Sequence, residues 1–315
     1  MLKILGLKLL QIIPVLLLVT LFTTVMLDFI PGDPAVVIAG EEATPQQLAT
    51  IRHDLGLDRP LLDRYVDWLG NAATGDFGGS ALTHQPVSES LSERVPVTLE
   101  LAVLAMVMGL LAAIPAGVFA AYRTDRAFDR AGNATAAVLL ASPAFMTGLF
   151  LAYLFAVRWQ IFPATGWVPL DENVVDNLEH AFLPSFTLAL GLFAVFYRLV
   201  RSDMQSILRE EYIGAANARG LPARYVLFRH ALKPASFSLL TLAALALGGL
   251  LGGAVLVEQL FALPGLGSLL IQAILTKDYV VVQGVVLFVT VVYVVVNAVV
   301  DVLYAYLDPR VRATV

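Results

Sequence analysis

The chain has 315 residues, 58% of them hydrophobic and 14% charged, with a mean hydropathy of +0.79. That balance excludes a soluble globular domain and points to a polytopic membrane protein. The formal net charge of −5 gives no nucleic-acid signal, and the absence of cysteine excludes disulfides and thiolate metal sites.

Six apolar stretches, each of roughly 17 to 25 residues, are long enough to cross a hydrocarbon core of about 30 Å as helices. They cover residues 9–30, 98–122, 134–157, 183–199, 237–257 and 280–300, so the expected fold is an all-α membrane protein with six transmembrane helices. The first stretch follows Lys3 and Lys8, as the core of a cleaved signal peptide would. It is longer than such a core, however, and runs into Asp28-Phe29-Ile30-Pro31-Gly32-Asp33-Pro34 without a small-x-small cleavage site, so it reads as a retained span. Three divisions follow: residues 1–30 as the first transmembrane helix, 31–97 as an extracytoplasmic insert with short helices, and 98–315 as a five-helix core with a cytoplasmic loop over 203–235.

The placement outside or inside comes from lysine and arginine. A cytoplasmic N-terminus puts 14 of the 20 basic residues inside and 6 outside. Four of those six lie in the long insert, where the rule weighs less, and the short outer loops hold only Arg158 and Lys277. The expected topology is N-in, C-in. Residues 31–95 carry ten acids and four bases, so the outer face is acidic where the inner loops are basic.

The insert has the grammar of a soluble protein. Thr44 is placed to cap a helix with Pro45 at its first position and Gln47 completing a capping box, and Gly56 stops it after Leu55. A second helix is expected over 60–69, with Leu61, Tyr65, Trp68 and Leu69 on one face and Gly70 behind it. Gly75-Asp76-Phe77-Gly78-Gly79-Ser80 reads as a turn, and residues 86–94 as a short helix leading into the second span. Further on, Pro115 and Pro143 each remove a helical hydrogen bond and are expected to kink the second and third spans. In the fifth, Gly248-Gly249-Leu250-Leu251-Gly252-Gly253 holds two overlapping small-xxx-small patterns, read as close helix packing, with a smooth pore lining as the alternative.

The polar segment 210–234 interrupts the second half of the chain. With Arg209 it gathers 5 of the 20 basic residues within 25 positions. Met204, Leu208, Tyr212, Ala215 and Arg219 recur at helical spacing, and Ala215, Ala216 and Ala218 offer a smooth face for close approach. Gly220 suits a left-handed stop, and Pro222 the first position of a second short helix bearing Tyr225, Phe228 and Leu232. An amphipathic helix lying on the bilayer is the plainer alternative, but it needs no glycine–proline corner.

Some chemistry is missing. No GxxxxGK[ST] phosphate loop occurs, so the chain is not expected to hydrolyse ATP in the usual P-loop manner and does not read as an enzyme. His53, His84, His180 and His230 are scattered singly outside the spans, which argues against a metal site and against an intramembrane Ser–His protease. An ion-coupled secondary transporter is the alternative function, and it would need ionisable groups near the membrane midplane. Asp28, Glu100 and Asp301 fall near span ends instead, as solvated interfacial side chains.

The helix, Gly-Leu-Pro corner, helix and His-x-Leu-x-Pro exit of 210–234 resemble the EAA loop of permease subunits in binding-protein-dependent ABC importers, in the form of the dipeptide/oligopeptide/nickel branch and its "B"-type subunit. The likeness extends along the chain, through Pro31-Gly32-Asp33-Pro34, Leu55-Gly56-Leu57-Asp58-Arg59-Pro60, Gly75-Asp76-Phe77-Gly78 and Pro86-Val87-Ser88. It continues with Glu258-Gln259-Leu260-Phe261-Ala262-Leu263-Pro264-Gly265-Leu266-Gly267. It ends with Asp301-Val302-Leu303-Tyr304-Ala305-Tyr306-Leu307-Asp308-Pro309-Arg310, where Tyr304 and Tyr306 suit interfacial anchoring. The resemblance implies a type I importer permease architecture and a loop that docks in a groove of an ATPase subunit. The coupling residues it implies are Glu210, Glu211, Tyr212, Ala215, Ala216, Arg219, Gly220, Leu221, Arg224, His230 and Pro234. It further implies a paralogous permease partner forming a heterodimer, two ATPase subunits that hold the ATP and Mg²⁺, no cofactor in this chain, and an extracytoplasmic substrate-binding protein facing the insert. The setting would be a prokaryotic inner or plasma membrane, and the cargo a dipeptide, oligopeptide, nickel, opine, glutathione or haem.

Overall fold

The structure, a computed structural model, describes residues 2–29, 31–40 and 42–307. The final motif from Asp308 on, with Arg310 and Arg312, lies outside the described residues, as do the side chains of Asp301, Tyr304 and Tyr306. In chain order the helices are α1 (Leu2–Asp28), α2 (Pro34–Ala39), α3 (Pro45–Asp54), α4 (Leu61–Ala73), α5 (Val87–Tyr122), α6 (Ala127–Ala141) and α7 (Ala144–Leu151, prolonged by wide π-helical turns over Ala152–Arg158). Then come α8 (Val174–Ile207), α9 (Glu211–Ala218) and α10 (Ala223–Tyr225), which passes through π-helical turns over Val226–Ala231 into α11 (Leu232–Gly253). The last are α12 (Val255–Leu260), α13 (Leu266–Leu275) and α14 (Tyr279–Leu307).

Among the described residues four helices are long and apolar enough to cross a membrane: α5, α8, the run Ala223–Leu251, and Tyr279–Val299 of α14. A fifth is added if α6 and α7 count as one bent span, while Ile13–Asp28 of α1 is apolar but shorter. The expected kink at Pro143 is a full break, with the two arms at 105°. Proline disfavours the helical region for the residue before it, and Ser142 is extended (ψ 123°), so the helix stops at Ala141 and restarts after Pro143. Helix α5, in contrast, continues through Pro115, and it takes in the separate short helix expected over 86–94. Its 36 residues extend about 54 Å at 1.5 Å each, well beyond a bilayer core.

The chain packs as two compact units. The first holds residues up to Thr98 and Pro264–Val295. Here the capping box at Thr44 forms as read, with Pro45 at the first position, and Gly56 takes φ +64° behind the helix. Helix α4 runs past Gly70 to Ala73, four residues beyond the expected end, since an isolated glycine weakens a helix without terminating it. Two helices were not expected: α2, capped by Asp33 with Pro34 first, and α13. The apolar core joins Leu27, Val87, Leu91, Leu266, Ala273, Val281, Val282 and Val285. A buried polar chain ties α1 to its neighbours: Gln283 Nε2 donates to Thr24 Oγ1 at 2.7 Å, and the hydroxyls of Thr20 and Tyr65 share a bond of 2.9 Å. Ser80 donates to Asp278 at the start of α14, at 2.5 Å, and so anchors the glycine-rich turn.

The second unit, Leu99–Leu263 with the chain from Val296 on, is built on α8. That helix buries Leu183, Leu188, Leu192, Phe196, Tyr197, Val200 and Met204 along one side, continuing through Pro184. Helix α5 approaches it at two glycines, where a β-carbon would sit 3.0 Å from Leu192 Cβ (Gly109) or 2.9 Å from Val200 Cβ (Gly117). Glu100 is not the solvated side chain expected: it is half-buried and accepts a bond of 3.4 Å from the fully buried Asn177. Glu258 is also fully buried.

Candidate functional site: a polar corner between two long helices

The expected single helix from Met204 to Arg219 is divided. Helix α8 ends at Ile207, with Leu208 as its cap, and α9 begins at Glu211, so the helical spacing of Met204, Leu208 and Tyr212 continues across a turn. Glu210 occupies the N-cap position of α9 and Glu211 its first turn, where acidic groups complement the helix dipole.

At the other end Gly220 has φ +75°, as the sequence suggested. Its N–H reaches Asn217 O at 2.9 Å and the Leu221 N–H reaches Ala216 O at 3.4 Å, which is the paired bonding of a Schellman stop. No atom lies within 4 Å of where a Gly220 β-carbon would stand, so glycine is required there by conformation and not by space.

Pro222 precedes the next helix as its cap (φ −64°, ψ 140°) and not as its first residue. The helix that follows is also no short element. It runs from Ala223 to Leu251, so the corner passes directly into a long apolar helix on this side, and on the other meets the long α8 across the turn at 208–210. The π-helical turns at Val226–Ala231 lie just ahead of Pro234, whose ring would clash with the His230 carbonyl in a regular α-turn. The wide register also brings the rings of Tyr225 and His230, five residues apart, to 5.3 Å in an edge-to-face contact.

The corner has two sides. Ile213, Ala216, Val226 and Leu227 are buried. Ala216 therefore faces inward, away from the smooth surface expected of it, while Ala215 and Ala218 remain exposed. On the outside stand Tyr212, Tyr225 and Phe228, at 47%, 46% and 51% exposure, with Arg219, Arg224 and Arg229 also exposed. Pro222, Arg224, Tyr225, Phe228 and Arg229 line a shallow apolar depression. Burial, helped by the charge of Glu210, raises the Tyr212 pKa, so its phenol stays neutral at physiological pH. Of the sequence-derived residues, Glu210, Glu211, Tyr212, Ala215, Arg219, Gly220 and Arg224 lie on the exposed side, with Leu221, His230 and Pro234 half-buried at its edge. Tyr225 and Phe228 were missing from that set. Their signal was two large aromatics, three residues apart, in a segment too polar to bury them.

In the insert, a cavity of about 360 Å³ is lined in part by Asp28, Arg59, Arg64, Asp67, Trp68 and Lys277. Its charges are largely closed on one another: Arg64 bonds Asp28 at 2.9 Å and Arg59 bonds Asp67 at 2.6 Å. Among the described residues no cluster of three potential metal ligands occurs.

The family described as "Binding-protein-dependent transport system inner membrane component" matches residues 113–313, and the N-terminal component of the same systems matches residues 1–102. A Brucella abortus protein assigned by name to a peptide transport system as its permease is 41% identical over 302 residues, covering 96% of each chain. The "Probable peptide ABC transporter permease protein" of Sinorhizobium fredii is 37% identical over 305 residues, and the glutathione transport system permease protein GsiC of Shigella flexneri 36% over 305, each with 97% coverage of both chains. The fold is similar to a chain of the inward-facing MetNI methionine ABC transporter, with a TM-score of 0.56 at 15% identity, over 69% of this chain and 96% of that one.

Proposed function

Because the chain belongs to the family of inner membrane components of binding-protein-dependent transport systems, we propose that it is one of two paralogous permease subunits enclosing a translocation pathway, driven by two ATPase subunits through the corner over 210–234. The observation that carries this is the corner itself. Three exposed aromatic side chains stand there with exposed arginines: Tyr225 and Phe228 on the start of the long apolar run Ala223–Leu251, and Tyr212 on a short helix that a three-residue turn joins to α8, so a partner's movement there has only short connections to cross before it reaches the long helices.

In this reading the spans number six, α1 and the bent α6–α7 pair included, with both termini and the corner in the cytoplasm. The insert faces the substrate-binding protein outside. ATP and Mg²⁺ are held by the ATPase subunits, and this chain carries no cofactor of its own. The relatives named for peptide and glutathione systems support a small peptide as cargo.

The reading is tested by co-purification. Tyr212→Ala and Phe228→Ala each remove an exposed aromatic anchor, a class of residue worth about 2 kcal/mol or more at an interface, hence roughly thirtyfold in affinity. ATPase subunits should be lost from the purified complex while the permease still inserts. Recovery at the wild-type ratio for both variants would remove the docking role.

A further inference from the structure

Three residues on one face of α8, at successive four-residue steps, grip the turn after α5 and the first turns of α6. Arg201 holds Asp129 with both ends of its fork: Nε on Oδ1, and Nη2 on Oδ2 at 2.8 Å. One turn towards the corner, Gln205 Nε2 donates to Thr124 Oγ1 at 3.0 Å. One turn the other way, the ring of Tyr197 lies against Gly132, and its hydroxyl points to Asp129 O at 3.5 Å.

Asp129 is almost fully buried, and its carboxylate is saturated. Besides the two guanidinium bonds it accepts from the Asp125 N–H at 2.9 Å and from Asn133 Nδ2 at 3.0 Å. A greasy contact alone lets two helices slide; a planar fork on a fully bonded carboxylate fixes both distance and rotation. Arg201 stands six positions before the end of α8, whose next helix is the first of the corner.

We infer that Tyr197, Arg201 and Gln205 form a clasp that delivers movement of the corner to α6 and to the turn after α5, with Arg201 and Asp129 as its positioning pair. The inference rests on the corner being the ATPase contact. In it α6, the 123–126 turn and the end of α8 move as one body, and the transport step depends on that rigidity. Both act as positioning residues, through the helices they join.

Two variants of the full complex, reconstituted with its binding protein, test this. Arg201→Lys keeps the charge and loses the fork. The ATPase subunits should still co-purify and hydrolyse ATP, while transport per ATP falls roughly tenfold, the size expected of a broken coupling element. Because the chain lacks cysteine, Thr124→Cys and Gln205→Cys can be joined by a short bifunctional thiol linker. Joined in the otherwise native chain, they should leave transport intact; joined in the Arg201→Lys chain, they should restore most of the lost coupling. Abolition of transport by the linker in the native chain would show that these elements must separate, and would overturn the clasp. So would an unchanged ratio in Arg201→Lys, or loss of assembly, hydrolysis and transport together, which marks a pair that only holds the fold. Failure of the corner reading looks different: there Tyr212→Ala and Phe228→Ala retain the ATPase subunits.

Discussion

Gly132 and Tyr197 meet so closely that a β-carbon on Gly132 would lie 2.2 Å from the tyrosine hydroxyl oxygen and 2.6 Å from Cζ. Gly132→Ala must therefore displace a fully buried ring, at a cost of about 1–3 kcal/mol. Tyr197→Phe should not relieve it, because the ring carbon remains, whereas Tyr197→Leu beside Gly132→Ala should recover part of the loss. Thermal unfolding of the purified protein decides: a Gly132→Ala midpoint equal to wild type would contradict this packing.

Gly220 gives a second prediction, of a different kind. Its β-carbon would meet nothing, so substitutions pay only for the left-handed backbone, about 1–2 kcal/mol for an ordinary residue and more for a β-branched one. Asparagine tolerates that region best. Retention of ATPase subunits on pull-down should fall in the order Gly, Asn, Ala, Val. Wild-type retention by Gly220→Val would show that the corner's angle is irrelevant to docking.

These two glycines also mark what the sequence could and could not disclose. Gly220 is a local signal: a helical pattern, a glycine, then a proline two residues on. The capping box at Thr44 and the stop at Gly56 are legible for the same reason, since all their partners lie within a few residues. The partner of Gly132 lies 65 positions away, and Asp129 and Arg201 are 72 apart. No periodicity links such residues, and Arg201 is indistinguishable in sequence from a solvated loop arginine. Helix α13 was missed because a ten-residue run with only seven apolar side chains, directly behind Pro264-Gly265, is too short for a span. Pro115 and Pro143 look alike in sequence, but only the second breaks its helix.

The cap of α2 predicts a pH response. Burial pushes the Asp33 carboxyl upward, but bonds from Arg52 of α3 (Nε at 2.7 Å) and the Ala35 N–H (2.9 Å), with the charges of Arg52 and Lys277, outweigh it and hold the pKa below the usual value. A carboxyl lowered in the folded state contributes stability that is full above its unfolded pKa, about 3.9, and is lost as pH falls through the folded value. Amide exchange in α2 and α3 should therefore report the same opening free energy from neutral pH down to about 5, with loosening only below about 4. Asp33→Asn keeps a capping side chain and loses the ion pair, so it should cost at most about 1 kcal/mol, and Asp33→Ala more. Equal losses in the two variants would deny the cap its role.

Topology is open to thiol labelling, since every introduced cysteine is unique. Ala49 on α3 and Ala218 on α9 are exposed, whereas Ala72 and Ala216 are buried and would report poorly. A membrane-impermeant reagent should modify Ala49→Cys in intact cells and Ala218→Cys only after permeabilisation. Modification of Ala218→Cys in intact cells would put the corner on the wrong side for any ATPase.

In the proposed function this chain moves its cargo on energy that enters at the corner from ATP hydrolysed by other subunits. Transport by reconstituted vesicles measures it directly. The complete assembly, with ATP on the corner's side and binding protein on the insert's side, should accumulate a small peptide, and a protonophore should leave that uptake unchanged. The chain alone should move nothing under an imposed proton or sodium gradient. Gradient-driven accumulation by the chain alone, abolished by the protonophore, would contradict the account.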